Sequence, residues 1–350
     1  MPPVTVERRR AADAEELFRA YQGVFGEPLT DGSRRRWQWQ YLENPETSPE
    51  GPEIWVAREG ETLLGQYASM PVRLQWNGAL VRASWGMDVF LRPEARGRGL
   101  GAQLFTAWSD HVEVALGLGL TPSSYGLFKK LHYEDVGPVP FFEKLLDPVA
   151  VARRHVGDAL AGVAGGALGL GLRLLHPDPG PPNGNVAVRS VASFSDEYDA
   201  LWERVRSGYA MCARRDRAYL NWKYVQCPTR RYDLWEARRE AALLGFAVSR
   251  HEDYRGLRIG WLIDAFAAPD DHETKEALIA CVLANFGAAG VARAQAFSMN
   301  GALASDLLRR GFLRGRSPMQ FCVRARVPGG DVFRELQRWH VVFGDSDMDR

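Results

Sequence analysis

The sequence repeats one series of motifs, and this repeat restricts the possible fold more than any other feature. Four short motifs occur twice in the same order: Trp39-Gln-Tyr41-Leu-Glu-Asn-Pro45 and Trp222-Lys-Tyr224-Val-Gln-Cys-Pro228, Leu63-Leu64-Gly65 and Leu243-Leu244-Gly245, Trp85-Gly-Met-Asp88 and Trp261-Leu-Ile-Asp264, and Lys129-Lys130-Leu131-His132-Tyr133 and Arg309-Arg310-Gly311-Phe312. The partners are 183, 180, 176 and 179 residues apart, and insertions in loops produce such small differences. We therefore interpret the chain as a tandem duplication of one α/β unit.

The length and one linker-like segment suggest the division into domains. A chain of 350 residues suggests two domains at the usual size of ~150 residues each. A segment rich in Pro, Gly and Asn, residues 177–185, lies between the copies and is typical of a boundary. The sequence predicts a first domain over residues 1–148, an Ala/Gly/Leu-rich helix with a Pro-rich linker over 149–184, a degenerate second copy over 185–326, and a C-terminal helix or tail over 327–350.

Residues 88–104 of the first copy read as an apolar strand, a Pro turn, a loop of Gly and Arg, and the start of a helix. Gly97, Gly99 and Gly101 carry no side chains, so backbone N–H groups can approach an anion closely. The helix that begins near Gly101 directs unpaired N–H groups and the positive end of its dipole at the same point. Arg96 and Arg98 add charged donors. The pattern predicts a pocket for a pyrophosphate, and an ordinary surface turn is the alternative.

The helix after this loop has one apolar face, which indicates packing on a sheet. The residues that recur on this face are Leu100, Leu104, Phe105, Trp108, Val112, Ala115 and Leu116. At the matching place the second copy reads His272-Glu-Thr-Lys-Glu-Ala277, which has no glycine and contains two carboxylates that would repel phosphate. Only the first copy is expected to bind the anion.

Composition and charge argue against several classes of function. The net charge is +1, whereas dedicated nucleic-acid binders carry a basic excess. The four cysteines are scattered through the second half without the spacing of metal ligands, so we expect reduced thiols and no metal site. Residues 1–16 are charged and show no signal peptide, and we therefore expect a cytoplasmic protein.

One apolar segment, residues 159–172, contains no charged side chain. A membrane-spanning helix needs about 20 apolar residues, so this segment of 14 is too short for an integral span. We expect a linker helix that lies on its own protein. Because Arg153, Arg154 and His155 precede the segment, a helix at a membrane surface is the alternative.

The spacing Arg96-x-x-Gly99-x-Gly101, with Pro93 three residues upstream, resembles the acetyl-CoA signature of GNAT-type N-acetyltransferases. The resemblance is specific over residues 54–134 and weaker over 186–326. The tandem arrangement is similar to that of mycothiol-synthase-like acyltransferases and, more distantly, of Fem-type transferases. The resemblance implies an α/β (α+β) fold with two tandem GNAT-like domains, each a mixed, mostly antiparallel sheet flanked by helices.

The same resemblance assigns a cofactor, acetyl-CoA or another acyl-CoA, and its site. Backbone groups at the strand end would bind pantetheine, the loop would hold the pyrophosphate, and an aromatic residue of the closing element Phe128-Lys-Lys-Leu-His-Tyr133 would lie beside the cofactor. The residues implied are Phe90, Leu91, Arg96, Gly97, Arg98, Gly99, Leu100, Gly101, Ala102 and Phe128.

Two residues are candidates for catalysis. In the family a Tyr of the closing motif protonates the departing thiolate, but this position is Phe128 here, which has no proton to give. Tyr125, one turn earlier, is the substitute candidate, and a packed aromatic is the alternative. Asp88 is the carboxylate nearest to the strand end and is the candidate general base. Because Asp264 matches it in the second copy, a structural role for both carboxylates is the competing interpretation.

These observations predict transfer of an acetyl or related acyl group from acyl-CoA to an amine of a small-molecule acceptor. One alternative is a module that binds or senses acyl-CoA without catalysis, and another is a Fem-like transferase that uses aminoacyl-tRNA. We expect the acceptor between the halves, beside the polar aromatic stretch from Tyr209 to Tyr224. We also expect a fragment that ends near Pro177 to bind CoA without acetylating the acceptor.

Overall fold

The computed structural model describes residues 3–9, 13–25, 30–175, 180, 184–317, 319–328, 330–347 and 349. The predicted break at 177–185 falls mostly outside these residues. Within them, the two copies share one order of elements: a strand, two helices, three strands, a helix, a strand, a helix and two strands. The second copy carries one additional short strand after its first helix. This shared order is what a duplication of one unit produces.

The first copy comprises β1 (Val4–Arg8), α1 (Ala14–Phe25), α2 (Asp31–Tyr41), β2 (Ile54–Glu59), β3 (Thr62–Trp76), β4 (Ala79–Leu91), α3 (Leu100–His111), β5 (Val114–Leu118), α4 (Pro122–Lys130), β6 (Glu134–Pro138) and β7 (Phe141–Leu145). The linker comprises α5 (Pro148–Val156) and α6 (Asp158–Leu175).

The second copy comprises β8 (Ala187–Val191), α7 (Glu197–Val205), β9 (Met211–Ala213), α8 (Arg217–Leu220) with a π-helical turn (Asn221–Val225), β10 (Asp233–Arg239), β11 (Ala242–Tyr254), β12 (Leu257–Ala267), α9 (His272–Ala288), β13 (Arg293–Phe297), α10 (Gly301–Arg309), β14 (Leu313–Gly315) and β15 (Gln320–Ala325). The C-terminal segment comprises two 3-10 turns (Gly330–Arg334 and Leu336–Arg338) and β16 (Trp339–His340).

The described strands form two sheets. The first runs in the order β1-β2-β3-β4-β5-β15-β6, with β9 paired to β3 and β16 paired to β9. The second runs in the order β14-β7-β13-β12-β11-β10-β8. Most neighbours are antiparallel, whereas β4 with β5 and β12 with β13 form parallel pairs. Helix α3 packs on the first sheet and α9 on the second through their apolar faces, so each sheet is mixed, mostly antiparallel and flanked by helices.

The two halves exchange their last strands. Strand β15 comes from the second copy but lies between β5 and β6 of the first sheet, where Phe321 pairs with Leu118 on one side and Gly137 on the other. Strand β7 comes from the first copy but lies between β13 and β14 of the second sheet. Each sheet is therefore completed by a strand of the other copy.

This exchange bears on the expected division of the chain. A boundary at residue 148 assigns β7 to the first domain by its place in the sequence, whereas the hydrogen bonds of β7 lie in the second sheet. A fragment that ends near Pro177 would lack β15, an internal strand of the first sheet. The backbone groups of β5 would then lose their partners, so the fragment is not expected to fold as a CoA-binding unit.

The Ala/Gly/Leu-rich linker forms a hairpin of α5 and α6. The two helices pack so closely that a Cβ at Gly165 would lie 2.5 Å from the Cα of Val149. The opposite side of α6 is apolar and open to solvent, and Val163 and Leu174 are 77% and 75% exposed. Within the described residues, no helix has both the length and the apolar character needed to cross a membrane.

The C-terminal segment, expected as a helix or tail, runs through the interior. Strand β16 pairs with β9, and Trp339, His340 and Val341 are each at most 2% exposed. The described residues after 326 form 3-10 turns and a strand but no α-helix. Aromatic and β-branched residues are concentrated at 339–343, and these residue types favour extended structure over a helix.

Candidate active site

The Gly/Arg loop of the first copy forms a tight, solvent-exposed bend that leads directly into α3. Residues Pro93–Ala95 form one 3-10 turn, and Gly97 and Gly99 both adopt a φ of 76°. A Cβ at either glycine would meet no atom within 4 Å, so it is the left-handed backbone that requires glycine there. Because Gly99 is the N-cap of α3 and has no side chain, the first N–H groups of the helix lack a side-chain cap.

Two arginines stand beside this helix start. Arg98 Nη2 donates to Glu59 Oε1 at 2.7 Å, and both side chains are partly exposed. Arg96 is exposed, and its guanidinium has no hydrogen-bond or ion-pair partner among the described residues. An uncapped helix N-terminus with an unpaired guanidinium beside it suits an anion such as a phosphate.

Strands β4 and β5 separate next to the loop. Their parallel ladder ends at Trp85 and Leu116, although β4 continues to Leu91. On its other side the end of β4 remains paired with β3, where Phe90 faces Gln66. The predicted backbone contributors, Phe90 and Leu91, therefore lie on the strand that borders the gap.

The start of α3 borders the same gap. Leu100 is buried, whereas Gly101 and Ala102 are partly exposed. A Cβ at Gly101 would lie 3.5 Å from the side chains of Leu91 and Leu127. Gly101 thus faces the space between the end of β4 and α4.

Phe128 lies in the core beneath this gap. It is 1% exposed, and an added Cβ at Gly117 of β5 would lie 2.4 Å from its ring. Its ring centroid lies 5.2 Å from that of Phe105 and 4.6 Å from that of Tyr133. In this structure Phe128 offers no surface to a cofactor, because glycine in β5 allows the ring to pack closely against the strand.

Asp88 occupies a bulge in β4. Its φ is 47°, an unfavourable value for a residue other than glycine, and the register with β3 shifts there. The carboxylate accepts hydrogen bonds from the Tyr41 hydroxyl and, at 3.3 Å, from Gln40 Nε2. Asp88 remains partly exposed. A strained, hydrogen-bonded and accessible carboxylate beside the gap is compatible with either a base or a structural acceptor.

Tyr125 points its hydroxyl at another carboxylate. The hydroxyl donates to Asp135 Oδ2 on β6, and this bond raises the pKa of Tyr125 to about 12. Lys129 Nζ lies 5.3 Å from the centroid of the same ring. The proton of Tyr125 is therefore engaged by Asp135, and it can reach a leaving group only if that bond breaks.

The second copy carries different residues where the anion cradle should be. The buried positions of α9 fit those of α3 with an offset of 174 residues, and the matching pairs are Leu100 and Thr274, Leu104 and Leu278, Phe105 and Ile279, and Trp108 and Val282. Lys275 therefore occupies the place of Gly101. The sequence comparison, which placed Ala277 there, was wrong by two residues because the loop is shorter in the second copy.

A buried ion pair fills this place. Lys275 is 1% exposed; its Nζ donates to the carbonyl of Pro269 at 2.7 Å and lies 2.9 Å from Asp306 Oδ2. Asp271 caps α9 by accepting from the N–H of Thr274 at 3.0 Å. The helix start is thus capped and its cradle is filled by the chain itself.

The gap between β12 and β13 is also filled. Their ladder ends at Leu262 and Ala296, and the C-terminal segment enters beyond that point. The N–H of Gly344 donates to the carbonyl of Ile263 at 3.0 Å, and the N–H of Met299 donates to the carbonyl of Val341 at 3.2 Å. The backbone of the C-terminal segment, which turns at residues 342–345, therefore occupies the gap of the second copy that corresponds to the open gap of the first.

Asp264, the counterpart of Asp88, is a buried structural carboxylate. It is 1% exposed, and it accepts from Arg215 Nε at 3.1 Å and from the Tyr224 hydroxyl at 3.0 Å. Burial opposes its ionisation, but Arg215, His340 and Tyr224 outweigh burial and hold the pKa of Asp264 below its ordinary value. Arg215 also binds Asp345 of the C-terminal segment at 2.9 Å.

Comparison with known proteins identifies the family. Residues 5–136 match the family described as acetyltransferase (GNAT) domain. The first domain is a GNAT acetyltransferase domain. The loop, the open helix start and the strand gap of this GNAT domain lie within the matched residues. A search of curated proteins found no match.

Solved structures resemble nearly the whole chain. A probable N-acyltransferase from Enterococcus faecalis V583 is 12% identical with a TM-score of 0.62, covering 96% of this chain and 74% of its own. A GCN5-related N-acetyltransferase from Anabaena variabilis is 14% identical with a TM-score of 0.64, covering 93% and 73%. Saccharomyces cerevisiae N-myristoyltransferase with bound myristoyl-CoA is 14% identical with a TM-score of 0.54, covering 93% and 85%. At these identities the likeness shows the fold, which confirms two tandem GNAT-like domains.

Several site features escaped the sequence reasoning. Tyr41 was not among the predicted site residues, yet its hydroxyl binds Asp88, as that of Tyr224 binds Asp264. The recurrence of both the Tyr motif and the Asp motif in the two copies was the available signal. Nothing in the local sequence indicated that Lys275 would be buried, because a Lys between two Glu residues is typical of an exposed helix.

Proposed function

We propose that the protein transfers an acetyl or related acyl group from acyl-CoA to an amine of a small-molecule acceptor, with one acyl-CoA site per chain. The contrast between the copies carries this proposal. The first copy has an uncapped helix start with Gly99 and Gly101, whereas the second has the Asp271 cap and the buried Lys275. If the chain binds one acyl-CoA, we expect the site to be open in one copy and filled by side chains in the other.

In this proposal the loop binds the pyrophosphate, and pantetheine extends along the free edge of β4. Backbone N–H groups and the positive end of α3 stabilise the phosphates, with Arg96 as an additional donor. The second copy supports binding at this edge, since backbone groups of residues 341–344 occupy the equivalent gap.

The reaction joins the amine nitrogen to the thioester carbonyl carbon and breaks the bond between that carbon and sulfur. A simple alkyl amine has a pKa near 10.4, so the neutral form costs about 4.6 kcal/mol at pH 7. We assign Asp88 as the group that accepts the amine proton, directly or through water. Tyr41 and Gln40 orient its carboxylate. The thiolate takes up a proton at sulfur, and Tyr125 is the candidate donor once released from Asp135.

A small cavity between the halves is the proposed acceptor site. Its volume is about 170 Å³, and Trp39 and Gln40 of the first half face Lys223 and Tyr232 of the second. Gln40 also donates to Asp88, so the cavity shares a wall with the proposed base. Charged side chains of both signs line it, which suits a polar, acidic or sugar-like acceptor. From the stretch predicted to face the acceptor, Arg215 and Tyr219 are buried in the core instead.

One observation favours the alternative, a GNAT fold that binds acyl-CoA without catalysis. Phe128 replaces the usual Tyr, and the Tyr125 hydroxyl is engaged by Asp135. Titration calorimetry with acetyl-CoA and CoA should give a stoichiometry near one under either account. Product formation with acetyl-CoA and a panel of small polar amines separates them. Binding without any acetylated product across the panel would favour the sensing module.

A further inference from the structure

A large apolar cavity lies in the second domain, between the α5–α6 hairpin and α9. Its volume is about 1310 Å³, above the ~300–1,000 Å³ of most ligand pockets. Its walls reach from β7 and β14 at one edge of the second sheet to β8 at the other edge. The cofactor loop of the first domain contributes no residue to it.

Small residues on both walls create the space. Gly165, Gly166 and Gly169 of α6 line the cavity; a Cβ at Gly165 or Gly169 would meet α5, whereas one at Gly166 would meet nothing within 4 Å. Helix α9 faces the cavity with Ala277 and Ala280. Side chains from these positions do not fill the gap between the helices. Because protein interiors normally pack to few voids larger than a water molecule, so large an apolar space is a feature to be explained.

The first copy provides an internal comparison for α9. With the offset of 174 residues, the outward positions Gln103, Thr106 and Asp110 of α3 correspond to Ala277, Ala280 and Ala284 of α9. The three α3 residues are polar and exposed, as the solvent side of a surface helix should be. The three α9 residues are apolar, although none of them is needed to face the sheet. The second copy has therefore exchanged a solvated face for an apolar one where the cavity lies.

One end of the cavity is cationic. Four cationic side chains line it against one acidic side chain, Glu143, which pairs with Arg293 at 3.5 Å. Arg310 is 5% exposed; its Nη2 donates to the carbonyl of Gly180, but its Nε has no hydrogen-bond partner. Arg314 lies near it, two residues into β14. A buried guanidinium with an unused donor at the end of an apolar space calls for an anion.

We propose that this cavity binds a straight-chain fatty acid, with its carboxylate at Arg310 and its alkyl chain along the alanine face of α9. The proposal is independent of acyl transfer in the first domain. The carboxylate satisfies the Nε donor and balances the cationic end. The chain removes apolar surface of α9 and α6 from water, and the small residues on both walls leave room for it.

The first experiment measures displacement of a fluorescent fatty acid from the full chain by saturated acids of 8 to 16 carbons and by the matching alcohols. Affinity should rise about fourfold per added methylene until the cavity is filled. Each alcohol should bind about tenfold or more weakly than its acid, because it lacks the charge that pairs with Arg310. Affinity independent of chain length, or alcohols as tight as acids, would overturn the proposal.

Matched variants locate the ligand. Ala280→Phe places a ring in the cavity and should weaken binding about tenfold or more, whereas Thr106→Phe, at the equivalent position of α3, should not change it. Gly101→Glu should keep fatty-acid binding unchanged, which separates this site from the proposed cofactor gap. Equal affinities for Ala280→Phe and Thr106→Phe, or loss of binding in Gly101→Glu, would refute the assignment.

A chemical readout avoids large substitutions. Cys281 lines the cavity and is partly exposed, while Cys212 and Cys322 are fully buried. In a Cys227→Ser background, saturating hexadecanoate should slow labelling of Cys281 by a small thiol reagent about tenfold. An unchanged labelling rate at saturation would contradict the placement of the chain against α9.

Discussion

Trp39 and Trp222 bind each other reciprocally across the boundary between the halves. Each indole N–H donates to the main-chain carbonyl of the other residue, at 2.8 and 2.9 Å. Their rings stack with centroids 5.1 Å apart and planes inclined by 21°. Because they are equivalent residues of the repeat, the contact has nearly twofold symmetry, and it explains why both copies retain the Trp/Tyr/Pro motif.

The reciprocal pair should stabilise both halves equally. Trp39→Phe and Trp222→Phe each leave one buried carbonyl without a donor, so each should lower the free energy of unfolding by about 1–3 kcal/mol. Urea denaturation of both variants and of the double variant gives the coupling between them, expected at ~0.5–1.5 kcal/mol from the stacked rings. Trp235→Phe is the control, since the Trp235 indole binds Ser249 within its own half. If the coupling energy between Trp39→Phe and Trp235→Phe were as large as that between Trp39→Phe and Trp222→Phe, the reciprocal contact would not be its source.

Gly101→Glu should abolish acyl-CoA binding. The position faces the side chains of Leu91 and Leu127, so the carboxylate would stand where the phosphates are proposed to bind. Like charges ~4 Å apart near a protein surface repel by about 4 kcal/mol, which predicts at least about a hundredfold weaker binding in calorimetry. Gly287→Glu, at an open position late in α9, should bind as the wild type does. Two sites of equal affinity, or binding that survives Gly101→Glu, would refute the single-site assignment.

Asp88 and Asp264 should respond differently to the same substitution. Asp264→Asn removes one of the two carboxylates that balance the buried charge of Arg215 and should cost about 3–5 kcal/mol of stability. Asp88→Asn changes a partly exposed group and should cost less than about 1.5 kcal/mol. If Asp88 is the base, turnover should fall by about 10²–10⁴ while CoA affinity is kept. Retention of full turnover in a folded Asp88→Asn protein would restrict Asp88 to a structural role.

The ion pair of the second copy should be costly to break and inexpensive to replace. Lys275→Met leaves the buried Asp306 with only His272 and Arg309 at its other oxygen and should lower stability by about 1–3 kcal/mol. Leu127 is the equivalent of Asp306 in the first copy, at the offset of 179 residues. Adding Asp306→Leu therefore places the same apolar residue type in the second copy and should recover most of the lost stability. Neither change should alter the acyl-CoA stoichiometry. Thermal melts and calorimetry of the single and double variants test both statements.

Stability should decline as the pH falls from 6.5 to 4 because of His111. Burial, together with Arg8 and Arg82, lowers the pKa of His111 to about 4. The unfolded chain binds the proton near pH 6.5, so the stabilisation is complete above that pH and is lost as the pH falls towards 4. After allowance for solvent screening, the loss between pH 7 and 5 should be ~1–2 kcal/mol greater than in His111→Gln. Glu53, whose pKa burial raises, titrates in the opposite sense and is common to both proteins.

Much of the first domain was predictable because its signals are local. The spacing of Gly97, Gly99 and Gly101 reflects a backbone bend followed by a helix, and the periodicity of α3 reflects a single apolar face. Such patterns arise from residues close in sequence, so they can be recognised without the fold. The predicted roles of Asp88 and Tyr125 remain predictions.

The unpredicted features depend on contacts between distant residues. The partner of Lys275 is Asp306, 31 positions later, and the partner of Tyr125 is Asp135 on the following strand, 10 positions later, so neither environment is visible in a local pattern. Phe128 is hidden from the gap because Gly117, on another element, allows its ring to pack closely. The positions of β7 and β15 depend on which sheet offers each strand an unpaired edge. The hydrophobic alternation of a strand is the same in either sheet, so the sequence does not show which sheet it joins.

The exchange of β7 and β15 also determines when the gap proposed to bind the cofactor can form during synthesis. Strand β5, at the gap, ends at Leu118, but its neighbour β15 begins at Gln320, about 200 residues later. At ~5–20 residues per second, the ribosome needs about 10–40 s to supply that neighbour. The first sheet therefore waits with an unpaired edge until almost the whole chain has been made. A nascent chain that stops short of β15 can complete the second sheet but not the first, so the first half to be synthesised is the last to be finished.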